Sequence, residues 1–202
     1  ELAPYFKTFG TYCSSEKKFK SNKHFFNYNF EDDDIVQHLN VLKPDVIISA
    51  LRGAFAHQLI VHQHLFQYAK ANKKVRIIYL SSSNVFDAYS KYPSYENDTT
   101  LSNSIYGHFK IRVEQQLLKL PKKQIVILRL PMVFGIRSPR VQELKTLHEL
   151  DEFIELFPNL IMNVCWDSKI TQLVHYIINR NKYGIYHCGS SDLVPHKTLL
   201  RI

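Results

Sequence analysis

Three short, continuous apolar runs, rich in β-branched residues, are the feature that most constrains the fold of this 202-residue chain. They occupy residues 44–49, 75–80 and 125–130. Runs that are apolar on both faces are typical of strands in a parallel sheet that is covered by helices. Between them, residues 54–72 and 104–120 carry apolar side chains at helical spacing. This alternation predicts a doubly wound α/β fold with a parallel, Rossmann-like sheet.

The flanking segments predict further elements and a division of the chain. A strand is expected within residues 5–12, and a helix over residues 32–42, where acidic residues in the first turn suit the helix dipole. After Gly135 helices and strands interleave. We therefore expect a core over residues 1–135 and a small, partial C-terminal lobe over residues 136–202 that returns to the sheet edge. In that lobe we expect helices over residues 144–156 and 170–179 and strands over residues 160–164 and 184–187.

Composition narrows the class of protein. The net charge is +8, but the basic residues form no long block, so a nucleic-acid partner is not predicted. The three cysteines, Cys13, Cys165 and Cys188, include no C-x-x-C pair, which argues against a disulfide framework and a zinc site and fits a reducing cytoplasm. No apolar run approaches the roughly 20 residues that span a bilayer. We expect a cytoplasmic protein without a membrane segment.

Two groups of potential metal ligands are better explained without a metal. His57 and His64 lie two turns apart on the predicted helix and His62 lies off their face, so we expect three solvated side chains and no shared ion. The consecutive aspartates at positions 32–34 lack the spacing and the glycine of a calcium-binding loop, and are expected to begin a helix.

The main chemical signal is the pair Tyr106 and Lys110, which has Y-x-x-x-K spacing at the start of a predicted helix. This spacing places both side chains on one face, one turn apart. A phenol is a poor base at neutral pH, and a nearby cation favours its ionised form, so the pair can exchange a proton with a carbonyl or alcohol oxygen. With 12 tyrosines in the chain, about one such spacing is expected by chance.

A serine cluster at the end of the second strand strengthens this signal. Ser81, Ser82 and Ser83 follow residues 75–80 directly. Ligands of open α/β sheets bind at the carboxyl ends of strands, where these hydroxyls would lie. The serines are equally well explained as an ordinary strand exit or a helix cap.

Together these segments resemble the extended short-chain dehydrogenase/reductase superfamily, in the branch of dTDP-4-dehydrorhamnose reductase and the NAD-dependent epimerase/dehydratase family. The resemblance covers residues 44–135 and depends on the order and spacing of several motifs. They are IYLSSSNVFD from residue 78, YEND from residue 95, Y-G-x-x-K from residue 106 with Glu114, and RLPMVFG from residue 129.

The resemblance implies an NAD(P)-dependent oxidoreductase or epimerase that acts on a nucleotide-activated sugar, with residues 1–135 binding the dinucleotide and residues 136–202 the substrate. Tyr106 would be the catalytic acid/base, Lys110 would tune it and hold the nicotinamide ribose, and Ser82 would bind the substrate oxygen. Further implied cofactor contacts are Ser49, Ala50, Leu51, Pro131 and Val133. Candidate substrate contacts are Ser83, Asn84 and Arg140. Arg137 and Arg140 are both cations that could bind a phosphate of the substrate.

Departures from the family pattern also carry information. The family opens with a strand and a G-x-x-G-x-x-G turn that meets the pyrophosphate. The six glycines of this chain do not form that arrangement. The first residues resemble the end of the helix after that turn, and the last precede the closing elements of the substrate lobe, so we expect a fragment or a chain given without its termini. Asn29 and Phe109 stand where the family commonly has Asp and Ser.

The cofactor is expected to be NADP or NAD, with NADP favoured. The positions that distinguish NADP from NAD follow the strand that ends near Tyr12. They carry small side chains, and two lysines follow them closely. Glu16 argues for NAD if the strand boundary shifts by a few residues. The residues concerned are Cys13, Ser14, Ser15, Glu16, Lys17 and Lys18.

Two other classes of function remain open at this point. A non-catalytic binding or regulatory protein of the same fold would keep the pocket, although the retained Ser82, Tyr106 and Lys110 count against it. RNA binding is favoured only by the net charge, since the sequence has no RNP-like or KH-like signature. A homodimer is compatible with the resemblance, and the identity of the sugar is not predicted.

Overall fold

A computed structural model describes residues 2–14, 16–89, 93–135, 138–153, 157 and 159–199. Two 3₁₀ helices cover Ser83–Phe86 and Lys122–Gln124. The other elements, in chain order, are β1 (Gly10–Tyr12), α1 (Glu16–Phe19), β2 (Phe25–Asn27), α2 (Ile35–Leu42), β3 (Val46–Ser49), α3 (Phe55–Ala71), β4 (Arg76–Ser82), α4 (Ile105–Leu117), β5 (Ile125–Leu130), β6 (Met132–Phe134), α5 (Pro139–Glu149), β7 (Ile161–Trp166), α6 (Asp167–Asn179), β8 (Gly184–His187), β9 (Leu193–Pro195) and α7 (His196–Leu199).

The central sheet confirms the predicted doubly wound α/β fold. Its four strands are all parallel and lie in the order β3-β4-β5-β8. The register pairs Ser49 with Tyr79, Ser82 with Leu130 and Arg129 with His187. Because parallel strands end at one edge, these polar residues gather where ligands of such sheets bind.

Two smaller sheets complete the strand pattern. β1 and β2 form a parallel pair of their own. β6 and β7 are parallel, and β9 joins β7 in the antiparallel direction. The chain adds β8 to the central sheet between β7 and β9, so the central and small sheets interleave along the sequence. The division at residue 135 stays a prediction.

Helices cover both faces of the central sheet, as its doubly apolar strands require. On one face Ile77 and Ile127 pack with residues of α2, α3 and α4. On the other face Ile78 and Val126 pack with Ile177 of α6. Each of these side chains is almost completely buried, and each burial stabilises the fold by about 1.5–3 kcal/mol.

Some predicted boundaries were wrong for identifiable reasons. The helix expected over residues 144–156 begins at Pro139, after Ser138 caps it by accepting a hydrogen bond from the Val141 N–H, and it ends at Glu149. Asp151 then has a positive φ of 54°, which stops the helix. The strand expected within residues 5–12 is reduced to Gly10–Tyr12.

Two negative findings concern the described residues. None of their helices is long and apolar enough to cross a membrane. Within the same residues, no three His, Cys, Asp or Glu side chains are grouped closely enough to hold a metal ion.

Candidate functional site

The site begins where β4 runs into the first 3₁₀ helix. Ser82 is the last residue of β4 and caps this helix, since its hydroxyl accepts a hydrogen bond from the Asn84 N–H at 3.2 Å. The same hydroxyl donates to Asn84 Oδ1 at 3.0 Å. Ser82 is therefore a helix cap and, at the same time, a hydroxyl held at the carboxyl edge of the sheet.

The N-terminus of α4 is fixed against this turn. Ser104 caps α4 by accepting a hydrogen bond from the Gly107 N–H at 3.0 Å, and its hydroxyl donates to Asp87. Gly107 lies so close to the backbone oxygen of Asn84 that any β-carbon would clash with it. The glycine after Tyr106 is therefore required for the close approach of α4 to the 3₁₀ helix that follows β4, and this approach brings the phenol to Ser82.

Tyr106 is partly exposed and faces the sheet edge. Its side chain is 39% exposed, and its ring centroid lies 6.0 Å from that of Phe55 at the start of α3. Partial burial raises the pKa of Tyr106, while the hydroxyl of Ser82 and the charge of Arg52 each offset part of that rise. At neutral pH the phenol therefore keeps its proton, as a proton donor must.

Lys110 lies one turn further along α4 and is buried, with 6% of its surface exposed. Its ammonium donates a hydrogen bond to the Leu80 carbonyl at 2.9 Å. Three aromatic rings surround it, with centroids 4.9 Å away for Tyr79 and 5.5 Å for Tyr106 and Phe109. Burial lowers the pKa of Lys110 to about 8, against the opposing effect of Glu114. The predicted juxtaposition of Tyr106 and Lys110 is present.

A buried ion pair links β5 to α4, the helix that carries Tyr106 and Lys110. Arg129 and Glu114 are 4% and 2% exposed, and Arg129 Nη2 lies 2.8 Å from Glu114 Oε2. Ser81 donates its hydroxyl to the same carboxylate, and Arg129 Nη1 donates to the Glu96 carbonyl at 3.1 Å. The backbone N–H of His187 also belongs to the network, since it donates to Glu96 Oε1 at 3.0 Å. The network joins four segments of the motif region.

The expectation that all three α3 histidines are solvated was wrong for His62, which is 1% exposed. Its Nδ1 donates to the Gln58 carbonyl at 2.6 Å, which leaves Nε2 to accept the hydroxyl of Ser49 at 2.9 Å. His57 and His64 are partly exposed and face carboxylates. The Ser49 hydroxyl thus points into the core, and only its backbone is left for the cofactor contact predicted for it.

The remaining predicted contacts are distributed along the sheet edge. Ala50 and Leu51 follow β3 directly, Pro131 follows β5, and Val133 lies in β6 beside Cys165. Ser83 and Asn84 are exposed next to Ser82. Arg140 belongs to α5, but its side chain lies outside the described part, as does all of Arg137. The roles assigned to these residues stay predictions.

Sequence reasoning missed Arg52, whose charge acts on Tyr106. It lies in an exposed loop between β3 and α3 and belongs to none of the quoted motifs. The only available signal was its position, three residues after the carboxyl end of a predicted strand.

Comparisons with known proteins show which family the chain resembles. The model of the family described as RmlD substrate binding domain matches residues 35–197. A dTDP-4-keto-6-deoxy-D-glucose reductase of Streptomyces niveus is 23% identical over 132 residues, which are 65% of this chain and 46% of that protein. The chain therefore spans about half the length of this curated relative.

Solved structures share the fold at low sequence identity. The enzyme WbmH of Bordetella bronchiseptica, in complex with NAD+, has a TM-score of 0.82 at 18% identity, over 98% of this chain and 72% of that one. A dTDP-4-dehydrorhamnose reductase of Clostridium acetobutylicum has a TM-score of 0.72 at 18% identity, over 96% and 77%. The corresponding reductase of Bacillus anthracis, in complex with NADP, has a TM-score of 0.74 at 18% identity, over 88% and 70%. Because its model matches four-fifths of the sequence, the chain belongs to the RmlD substrate-binding domain family.

Proposed function

We propose that this chain carries the proton-transfer site of an NAD(P)-dependent reductase that acts on a nucleotide-activated sugar. The observation that carries the proposal is the meeting of Ser82, Tyr106 and Lys110 at the carboxyl edge of the central sheet. Family membership supports it, as do relatives described as dTDP-sugar reductases.

The residues present fit the nicotinamide ribose end of a dinucleotide. An ammonium has three donors, and within the described chain Lys110 gives one of them to the Leu80 carbonyl. The other two suit a pair of ribose hydroxyls. The sequence has no G-x-x-G-x-x-G turn, so we assign no residue to the pyrophosphate.

The mechanism follows from the protonation states of the site. When bound, a reduced nicotinamide dinucleotide would supply a hydride to the carbonyl carbon of the sugar. Tyr106 donates its phenolic proton to the carbonyl oxygen, and the Ser82 hydroxyl holds that oxygen by a hydrogen bond. The rise in the pKa of Tyr106 keeps the donor protonated before the step.

Replacing Tyr106 by phenylalanine tests the proposal, because the ring remains and the transferable proton is lost. We expect kcat for reduction of dTDP-4-dehydrorhamnose by NADPH to fall about 10²-fold or more in the complete protein, with cofactor affinity little changed. Tyr176→Phe, an exposed tyrosine on α6, is the matched control and should leave kcat unchanged. Equal turnover by Y106F would rule out Tyr106 as the proton donor, and no turnover by the wild type would move the chain to the non-catalytic class. Turnover without net NADPH consumption would indicate an epimerase.

We further propose a preference for NADPH over NADH. β1 ends at Tyr12, so Cys13 and Ser14 are the first residues beyond the strand, and Lys17 and Lys18 follow in an exposed position. Lysines near this point suit the 2′-phosphate of NADPH, which NADH lacks, since a charge-assisted contact is stronger than a neutral one. The measurement is kcat/KM for both cofactors in the wild type and in a K17Q/K18Q variant, where the preference should shrink. A value for NADH equal to or above that for NADPH in the wild type would refute the preference.

A further inference from the structure

The place of the Tyr106 phenol depends on the N-terminus of α4, because the tyrosine lies in the first turn of that helix. Ser104 is the N-cap, and its hydroxyl accepts a hydrogen bond from the Gly107 N–H at 3.0 Å. Gly107 in turn lies directly against the backbone oxygen of Asn84, in the 3₁₀ helix that Ser82 caps. Whatever holds Ser104 therefore sets where the phenol lies relative to the end of β4.

Asp87 holds Ser104 from the far end of this 3₁₀ helix. Its Oδ2 accepts the hydroxyl of Ser104 at 2.5 Å, and its Oδ1 accepts the N–H of Asn103 at 2.6 Å. The backbone N–H of Asp87 donates to the Asn84 carbonyl at 3.3 Å, and this is the same oxygen that Gly107 approaches. The carboxylate thus ties the start of α4 to the turn that follows β4.

The two segments that the carboxylate joins are also paired through their backbones. The Leu101 N–H donates to the Val85 carbonyl at 2.8 Å, and the Ala88 N–H donates to the Leu101 carbonyl at 3.3 Å. Val85 is fully buried, whereas Asp87 is exposed. Removal of the carboxylate therefore leaves the packing of the turn in place and frees only the cap of α4.

A carboxylate suits this position because of what the Ser104 hydroxyl must do. Its oxygen accepts from Gly107, so its single proton needs an acceptor elsewhere. The Asp87 carboxylate and the Ser102 hydroxyl, 3.2 Å away, are both within reach, and an ionised acceptor makes the stronger bond. Burial acts to raise the pKa of Asp87, but the hydrogen bonds from Ser104 and Asn103 outweigh it and lower that pKa. The acceptor is therefore ionised at neutral pH.

We propose that Asp87 is a positioning residue that fixes the N-terminus of α4, and with it the Tyr106 phenol, in the place from which the proton is transferred. The inference deepens the proposed function and rests on Tyr106 being the proton donor. Asp87 acts through Ser104 and contacts neither substrate nor cofactor. A misplacement of about 1 Å at a reacting group can cost about 10²-fold in rate, so a hydrogen bond at the protein surface can control kcat.

The first test compares kcat with KM in the complete protein. Asp87→Ala is expected to lower kcat about 10- to 100-fold, with KM for NADPH and for dTDP-4-dehydrorhamnose little changed. Asp87→Asn should keep most of kcat, because its amide oxygen can accept from Asn103 and its amide nitrogen can donate to Ser104. Asp34→Ala is the matched control, since Asp34 caps α2 by accepting the Val36 N–H at 2.9 Å. It should lose comparable stability and leave kcat unchanged.

A double-variant cycle tests the route through Ser104. If Asp87 acts only by holding that hydroxyl, D87A/S104A should lose no more kcat than S104A alone. Additive losses would show that Asp87 acts by another route and would overturn the inference. A raised KM with unchanged kcat in D87A would overturn it as well, because Asp87 would then be a ligand contact.

A further test needs no ligand and follows the Gly107 amide by NMR. With ¹⁵N-glycine and ¹³C-carbonyl tyrosine in one sample, signals come only from the glycines that follow a tyrosine, Gly107 and Gly184, and Y106F identifies the first. We expect D87A to speed hydrogen exchange of the Gly107 amide about fivefold, the scale of one helix cap, and to leave Gly184 unchanged. Equal exchange in D87A and the wild type would refute the clamp. Failure of the Y106F test would remove the proposed function, while wild-type kcat in D87A would remove only this inference.

Discussion

Glu114→Ala is expected to lower the free energy of unfolding by about 3–5 kcal/mol, because it leaves a charged guanidinium buried without its counter-ion. Glu114 is 2% exposed and Arg129 is 4% exposed, so water cannot replace the lost carboxylate. Ser81 loses the acceptor of its hydroxyl in the same change. The loss therefore combines an unpaired buried charge with an unpaired buried hydroxyl.

Urea unfolding followed by circular dichroism measures this loss. Glu149→Ala, on the exposed side of α5, is the matched control and should change stability by less than about 0.5 kcal/mol. A double variant, Glu114→Leu with Arg129→Met, should recover much of the loss, since an apolar pair of similar volume can replace a buried ion pair. A loss below about 1 kcal/mol in E114A would mean that Arg129 finds another partner or reaches solvent.

The sequence predicted the central strands well because each must be apolar on both faces. The run at 125–130 coincides with β5, and the other two differ from β3 and β4 by one or two residues at their ends. β2, β6 and β9 have three residues each, which is too short for a periodicity to appear. Their pairing depends on partners elsewhere in the chain, and a local pattern carries no information about those partners.

The site was predictable where function requires local spacing. Tyr106 and Lys110 are one turn apart on one helix, so their contact follows from helix geometry. Arg52 lies far from Tyr106 in sequence, in the loop between β3 and α3, and α3 contacts Tyr106 through Phe55. No periodicity in a single sequence specifies that neighbourhood.

For His62 the helix was predicted correctly, but the burial of the side chain was not. Counting histidine as polar placed it on a solvated face, although its helical neighbours Val61 and Leu65 are core residues. Burial is tolerated because Gln58, one turn earlier, supplies an acceptor for Nδ1 and Ser49 supplies a donor for Nε2. The second partner comes from a different element, so the sequence alone could not reveal it.

Acidification is expected to destabilise the protein through His62. Burial lowers the pKa of His62 from 6.5 to about 4, and the nearby charge of Lys110 acts in the same direction against the hydrogen bond to Gln58. Between these two pH values the unfolded chain binds a proton that the folded chain does not, so the free energy of unfolding falls as the pH falls. The contribution is complete above pH 6.5 and lost below a pH of about 4. Its total is about 3 kcal/mol, at about 1.36 kcal/mol for each pKa unit.

Urea unfolding at a series of pH values from neutral to acidic gives the free energy of unfolding at each pH. The slope of that free energy against pH measures this contribution. Other groups titrate in the same range, so the informative quantity is the difference between variants. His62→Gln removes the titrating ring while keeping polar atoms for Ser49 and Gln58, and it should flatten the slope by the His62 share. Gln67→Ala, which changes an exposed residue without a titrating group on the same helix, should keep the wild-type slope. If H62Q loses stability on acidification as steeply as the wild type, His62 is protonated in the folded state despite its burial.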